Sequence, residues 1–373
     1  MRTGNSQPGQ LAELDQLSGS LRIAFVSGHS RWWRKQRLVA KYFKMRLEGL
    51  IYPDVYCLAL MLSGRFDFLL EDEKVAPGKY DVIFAELQSS DTQLRYLESL
   101  VEAQAPPVIV VPGPPAILSR DLTDPKLRRV QRILSGARGV WAYSPELKTF
   151  CDGLIGRDRA TLIPWPYDLA ATQKLGRVSP PSSGSRKILL QAPMSFHDIV
   201  QNHPFILKAL LLDLWPELPT GLRDQLSFHT FVYNSTDVQR YHSSGFAAGL
   251  PFTLESKLAY RPFVRFLAGC DGIVNLTAGS ILGRITFLSA ALARPGIFSD
   301  NSPLNARLYP GSTVAMFDTV HLRELLRAML LGLPDGAPDP RLLPSSEAVA
   351  DIGNFAANQT RLHQILAADL DTP

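Results

Sequence analysis

From about residue 21 onward, short unbroken apolar runs rich in β-branched residues alternate with longer amphipathic segments, and this rhythm constrains the fold more than any other feature. In the first half the strand candidates are residues 21–27 (LRIAFVS), 55–60 (VYCLAL), 80–86 (YDVIFAE), 107–112 (PVIVVP), 139–144 (GVWAYS) and 160–164 (ATLIP). They are continuous rather than alternating in polarity, as strands covered on both faces are. Helix-like segments, such as 93–103 and 126–134, lie between them. Strand and helix in turn imply βαβ units and a parallel sheet.

Residues 174–187 (KLGRVSPPSSGSRK) interrupt the rhythm with Pro, Ser and Gly, the composition of an exposed linker. The pattern then resumes with strand candidates 187–191, 226–233, 271–276, 296–299 and 312–317. Helices are expected near 204–214, 262–269, 283–293, 320–331 and 346–367. The fold class expected is α/β, with two Rossmann-like, doubly wound parallel-sheet domains facing across a cleft. The expected organisation is an N-terminal domain over 1–173, a linker over 174–187, a C-terminal domain over 188–345, and a terminal helix over 346–373 packing back on the first domain. Open parallel sheets bind ligands at their strand carboxyl ends, so the cleft is the expected site.

Composition narrows the class. The 373 residues are 46% hydrophobic and 20% charged, values typical of a folded globular chain. No uncharged apolar run reaches the ~18–20 residues a membrane span needs, and the first 20 residues lack the apolar core of a secretory signal. Cys57, Cys151 and Cys270 are far apart and odd in number, which reads as reduced thiols in a cytoplasmic protein. A net charge of +4 does not favour nucleic acid as a partner.

Three segments carry candidate chemistry. The first strand runs into Ser27-Gly28-His29-Ser30. Gly28 permits a tight turn, and His29 at its tip suits a general base, because imidazole titrates near neutrality. The plainer alternative is a hydrogen-bonded surface histidine. No G-x-G-x-x-G follows, so a nicotinamide or flavin fingerprint is absent. Residues 31–46, opening with Arg31, Trp32, Trp33, Arg34 and Lys35, hold seven basic residues, four aromatics and no acid. Such a helix suits an anionic membrane surface or a phosphate-bearing acceptor; it also reads as an ordinary first helix with a solvated basic face. Third, residues 275–284 (NLTAGSILGR) join a buried strand to a helix. Gly279, Ser280 and Gly283 let the backbone approach a ligand, a helix N-terminus can hold a diphosphate, and Arg284 adds a cationic fork. A tight turn with Arg284 on the surface is the alternative. No Walker lysine, HExxH, GxSxG or CxxC motif occurs, and no clustered metal ligands are visible.

Four stretches give the second half a resemblance to the nucleotide-sugar-binding domain of GT-B glycosyltransferases. Residues 162–168 (LIPWPYD) resemble that family's Ile-Pro-x-Gly-x-Asp segment, and 201–209 (QNHPFILKA) its Asn-His helix start. Residues 266–274 (FLAGCDGIV) are similar to its Ala-Asp-hydrophobic strand entry, and 283–300 to its donor helix with the following Gly-x-Pro-Val-Ile-x-Ser-Asp rhythm. Ile281 and Ser289 stand where many retaining members carry paired glutamates. Gln201 stands at the diphosphate-binding lysine and Phe196 near its partner arginine.

The resemblance implies a transferase using a UDP-, GDP- or dTDP-sugar as co-substrate, with no bound cofactor or metal. The donor phosphates fall to Arg284, His197 and the Gly279-Ser280 amides, and the acceptor is a glycan, a lipid-linked molecule or another anionic hydroxyl compound. Gly28 is counted with the donor-side residues. Many inverting members carry a His base after the first strand, where His29 stands, so inversion is the expected outcome. Polysaccharide biosynthesis at the inner membrane face is the setting implied. Two alternatives stay open: a GT-B protein that binds a nucleotide or partner without catalysis, and a sugar-nucleotide epimerase.

Overall fold

A computed structural model describes residues 21–26, 58, 61–62, 67–69, 73–76, 78–87, 90–113, 123–177, 185–190, 204–232, 238–239, 248–256, 258, 260–276, 283–300, 302–315, 318–333 and 338–371. The chain divides into two compact units, Met1–Tyr167 with Asn354–Pro373, and Asp168–Gly353.

The first unit is built on β1 (Ile23–Val26), β2 (Asp67–Leu69), β3 (Val82–Leu87), β4 (Val108–Pro112), β5 (Gly139–Ala142) and β6 (Ala160–Leu162). They pair in parallel in the order β2-β1-β3-β4-β5-β6. Helices α1 (Asp91–Ala103), α2 (Asp124–Gly136) and α3 (Pro145–Ile155) connect these strands. Val82, Ile83, Phe84 and Ala85 are fully buried, which explains why this strand is apolar without alternation. Leu94 and Leu97 of α1 and Ile133 of α2 pack into the same core.

The second unit repeats the plan with β7 (Arg186–Leu190), β8 (Leu226–Val232), β9 (Phe252–Ser256), β10 (Gly272–Asn275), β11 (Gly296–Ser299) and β12 (Thr313–Val314). Their order is β12-β11-β10-β7-β8-β9, again all parallel. Its helices are α4 (Leu169–Leu175), α5 (Pro204–Leu214), α6 (Thr220–Arg223), α7 (Tyr260–Ala268), α8 (Arg284–Ala291), α9 (Pro303–Leu308), α10 (Thr319–Leu331) and α11 (Ser346–Ile352). The edge strand β9 is tied to β8 by a hydrogen-bonded row. Ser227 Oγ lies 2.9 Å from His229 Nε2, and His229 Nδ1 lies 2.8 Å from Glu255 Oε1.

One device recurs at the amino ends of both sheets. In the first unit Asp81, just before β3, accepts the Arg22 backbone N–H at 2.7 Å and the Arg22 guanidinium at 2.6 Å, while its own N–H donates to Arg22 O. In the second unit Asp271, just before β10, accepts the Lys187 N–H at 2.8 Å and Arg186 Nη1 at 3.1 Å, and its N–H donates to Lys187 O. Each carboxylate pins the start of one strand to the start of its neighbour and so sets their register.

Four expectations need correction. Of the strand expected over 55–60 only Leu58 is described, and it is helical; with Met61 and Leu62 it is fully buried, a spacing that puts the three on one helix face. The strand in this part of the chain is the short β2, whose sequence DFL has too little apolar length to stand out. The boundary between units falls at Tyr167–Asp168, ahead of 174–187, because Asp168 caps α4, with Oδ1 accepting Ala171 N–H at 2.8 Å. Of the expected linker, 174–175 end α4 and 186–187 open β7, while 178–184 lie outside the described residues.

The single terminal helix is two. At Gly353 an added Cβ would stand 2.6 Å from Leu169 Cβ, so only glycine fits this close approach, and the helix breaks there. The second piece, α12 (Phe355–Asp371), belongs to the first unit. Near its start Gln359 Nε2 donates to Met61 O at 2.7 Å and Asn358 Nδ2 to Trp165 O at 3.0 Å. Near its end Asp369 accepts the indole N–H of fully buried Trp141 at 2.6 Å, and Arg138 donates to the carbonyls of Asp369 and Leu370.

Opposite pH signatures follow at two carboxylates. The Arg22 hydrogen bond holds Asp81 below the ordinary carboxylate range. Its stabilisation is therefore present above about pH 4 and lost as pH falls through the lowered pKa. Asp81→Asn is expected to flatten that acid-side loss and to cost about 1 kcal/mol near neutrality, the scale of a solvent-screened pair. Burial raises Asp369 despite the Trp141 hydrogen bond. The folded state thus favours its protonated form, and stability falls as pH rises from about 4 through the raised value. Asp369→Asn should remove that fall, whereas Asp369→Ala should cost about 1–3 kcal/mol by orphaning the indole N–H. Urea unfolding between about pH 3 and pH 7 checks both; unchanged pH slopes would refute them.

Candidate functional site

In an open parallel sheet the ligand site lies at the carboxyl ends of the strands, where successive connections run off in opposite directions. In the first unit the chain goes from β1 outward to β2 and then back to β3 on the other side, so the reversal lies between β1 and β3. In the second unit it lies between β7 and β10. The two mouths are therefore Val26 with Glu86 in one unit, and Leu190 with Asn275 in the other.

In the first mouth, register pairs Val26, the last residue of β1, with Ala85, one residue before Glu86. Glu86 is half-buried and is the one ionisable residue of the strand VIFAEL. Its main chain is fixed from behind. Gln93 is fully buried, and its side-chain amide donates to Glu86 O, while Ser90 Oγ accepts the Gln93 backbone N–H at 3.3 Å as the cap of α1.

In the second mouth β10 ends on Asn275, which is 8% exposed, and Gly283 stands at the start of α8. Gly283 has φ +63°, and a Cβ there would lie 2.6 Å from Leu304 Cδ2; both facts require glycine. Half-buried Arg284 is the first residue of α8, which packs on β10 and β11.

A buried polar cluster sets the position of this helix. Thr286 Oγ1 donates to Asn305 Oδ1 at 2.6 Å, and Asn305 Nδ2 donates to Ser299 O, at the carboxyl end of β11, at 2.8 Å. Ser289, where the resemblance led one to look for a glutamate, is fully buried and donates its hydroxyl to Ile285 O at 2.6 Å. It is a packing residue of α8.

Of the residues singled out from sequence, Gly283 and Arg284 stand together at the second mouth. Gly28, His29, Arg31, Trp32, Trp33, Arg34, Lys35, His197, Gly279 and Ser280 lie outside the described residues, as do Phe196, Gln201, Ile281 and Cys57. Glu86 and Asn275 were missed. The signal for Glu86 was present, a lone carboxylate closing an apolar run; Asn275 carried none beyond its place at a strand end. Cys151 and Cys270 are free and buried, and burial pushes both thiols up to about 12, which leaves them unreactive near neutral pH. Among the described residues no three His, Cys, Asp or Glu side chains gather as a metal site, and no helix is long and apolar enough to cross a membrane.

The cluster is open to test. Thr286→Val leaves Asn305 Oδ1 without its buried donor and should cost about 1–3 kcal/mol in denaturant unfolding, with Thr286→Ser restoring most of it. A valine variant as stable as the parent would show that the hydrogen bond does not hold α8.

No protein-family model matches the chain, and no curated protein sequence matches it. Solved structures do. One is a trehalose-6-phosphate synthase studied for glycosyltransfer with retention, with TM-score 0.59, 11% identity, and 99% of this chain and 97% of that one covered. Another is Alr3699/HepE of Anabaena in complex with UDP, with TM-score 0.57, 13% identity, and 94% and 99% covered. A third is a UDP-forming α,α-trehalose-phosphate synthase of Burkholderia vietnamiensis, with TM-score 0.57, 13% identity, and 94% and 99% covered. The chain thus has the fold of the GT-B glycosyltransferases, extended over nearly its whole length.

Proposed function

We propose that the chain is a glycosyltransferase that moves a sugar from a nucleotide-sugar donor to a hydroxyl of a glycan, lipid-linked or other anionic acceptor. The observation that carries this reading is the second mouth. There a buried strand ends on Asn275, and a helix begins after Gly283, which is in the left-handed conformation, with Arg284 as its first residue. Helix N–H groups and a guanidinium are what a diphosphate requires. The likeness to a fold solved with UDP supports it. Gly279, Ser280 and His197 complete the donor-side set on the sequence reading, and UDP is the first nucleotide to test.

The step is a displacement at the anomeric carbon. His29 takes the proton of the acceptor hydroxyl, whose oxygen forms the new C–O bond. The bond to the diphosphate breaks, and the nucleoside diphosphate departs with its charge met by Arg284 and its neighbours. The basic, aromatic stretch 31–46 supplies the surface for an anionic acceptor or membrane. A single displacement inverts the anomeric centre. Transfer with retention is the second reading, favoured by the similar trehalose-6-phosphate synthase.

Release of nucleotide from UDP-, GDP- and dTDP-sugars, with and without candidate acceptors, tests the proposal; turnover of none of them would refute catalysis. His29→Ala should lower turnover about 10²–10⁴-fold if imidazole is the base. Arg284→Ala should raise donor KM about tenfold or more, the worth of one charge-assisted hydrogen bond, with a smaller effect on acceptor KM. Proton NMR of the new anomeric centre decides between inversion and retention.

A further inference from the structure

We propose that Asp300 takes a vicinal pair of hydroxyls on the donor, so that the second mouth reads the uncharged part of a nucleotide sugar as well as its diphosphate. The inference rests on the transferase reading above and adds a specificity residue to its donor site.

Three observations converge. The first is place. Asp300 directly follows β11, at the carboxyl end of the strand beside β10, and β10 flanks the reversal of this sheet. The second is direction. Asn275 and Phe298 are register partners, so their side chains share a face of the sheet. The Phe298 N–H donates to Ser312 O at 3.0 Å and the Asp300 N–H to Val314 O at 2.9 Å. The ladder thus runs on through Asp300 and brings its side chain to the face of Phe298, two residues earlier. Val274 and Ile297 turn the other way, into the core formed with Leu325, Leu326 and Met329 of α10. Phe298 packs on Tyr309, with ring centroids 4.4 Å apart; Tyr309 follows α9, and α9 packs against α8. Asn275, Asp300 and the start of α8 therefore gather at one end of one face.

The third observation is what the fold leaves over. The backbone of Asp300 is held by β12, and Asn305 Nδ2 holds the preceding carbonyl, Ser299 O, at 2.8 Å. The cap position of α9 belongs to Ser302. The Asp300 side chain is exposed, and among the described residues no donor meets its carboxylate. It is a rigidly based acceptor facing outward.

A carboxylate has two oxygens and only accepts hydrogen bonds, which matches two neighbouring hydroxyls. Asp300 lies one strand spacing, about 5 Å, across from Asn275 and two residues, about 7 Å, farther out. Its charge repels phosphate, which stays with the helix N–H groups and Arg284, and the hydroxyls next along the ligand fall to Asp300. A nucleotide sugar carries such a diol on either side of its diphosphate, in the ribose and in the transferred sugar.

The test is binding of pyrophosphate, UDP, 2′-deoxy-UDP, UDP-glucose and the three GDP counterparts, measured by isothermal titration for the parent chain, D300N and D300A. At least one nucleotide or conjugate should bind the parent more tightly than pyrophosphate does. D300A should weaken that ligand about 10–100-fold, the worth of hydrogen bonds to a charged group, while pyrophosphate binds as tightly as before or more so. D300N, which keeps the shape but one acceptor oxygen, should show the same pattern at smaller size and carries the test should D300A fail to fold. A loss that vanishes with the 2′-deoxy nucleotide supports the proposal with the ribose as the diol; a loss confined to the glucose conjugate supports it with the sugar. A parent chain that binds no nucleotide and no conjugate would overturn the donor reading and this inference with it. A binding parent with unchanged variants, or with pyrophosphate weakened as much as the nucleotide, would overturn this inference alone.

Discussion

Everything at the two ligand mouths depends on how the strands beside the reversals are set against one another. Asp81 and Asp271 do this from the opposite end of each sheet. Each accepts a backbone N–H from the neighbouring strand's start and gives its own N–H to the carbonyl of the same residue, and an arginine charge completes the pair. A slip of one residue would turn every side chain of the strand to the other face. Asp271 lies within the stretch that resembles the GT-B strand entry, and its hydrogen bonds give that motif a structural reason: the acid reads register, not ligand.

Most of the fold was legible because strands covered on both faces leave continuous apolar runs. Runs such as 107–112 became β4 and 226–233 became β8 with ends moved by a residue. The failures have physical causes. Leu58, within an apolar run of strand length, is helical, since short apolar runs carry no period that separates strand from helix. β2 and the edge strand β9 were missed because DFL and FTLES are short or half polar. The unit boundary was sought where composition is loosest, yet it falls at a capped helix start, where backbone hydrogen bonds rather than flexibility mark the change.

The site was legible where chemistry leaves a pattern and illegible where topology makes the site. Gly283 and Arg284 announced themselves as a glycine turn before a helix. The cluster of Thr286, Asn305 and Ser299 that sets this helix could not be read, because its members come from three elements and none is unusual alone. Glu86 gains its meaning only when the order of the strands puts it at a reversal. Ser289 shows the converse: a residue placed by analogy at a catalytic position serves the helix that carries it.

The ownership of α12 has a consequence for biogenesis. A ribosome making this chain releases most of the first unit, then the whole of the second, and only afterwards the helix whose Asp369 receives the Trp141 indole. Until that moment the early part stands with a buried aromatic edge unanswered and with Arg138 lacking the two carbonyls it grips. The first unit is therefore completed only after the last helix has been made. The segment born second can finish first, and a nascent chain stalled before residue 354 would carry a competent later lobe beside an unfinished earlier one, a natural client for chaperones.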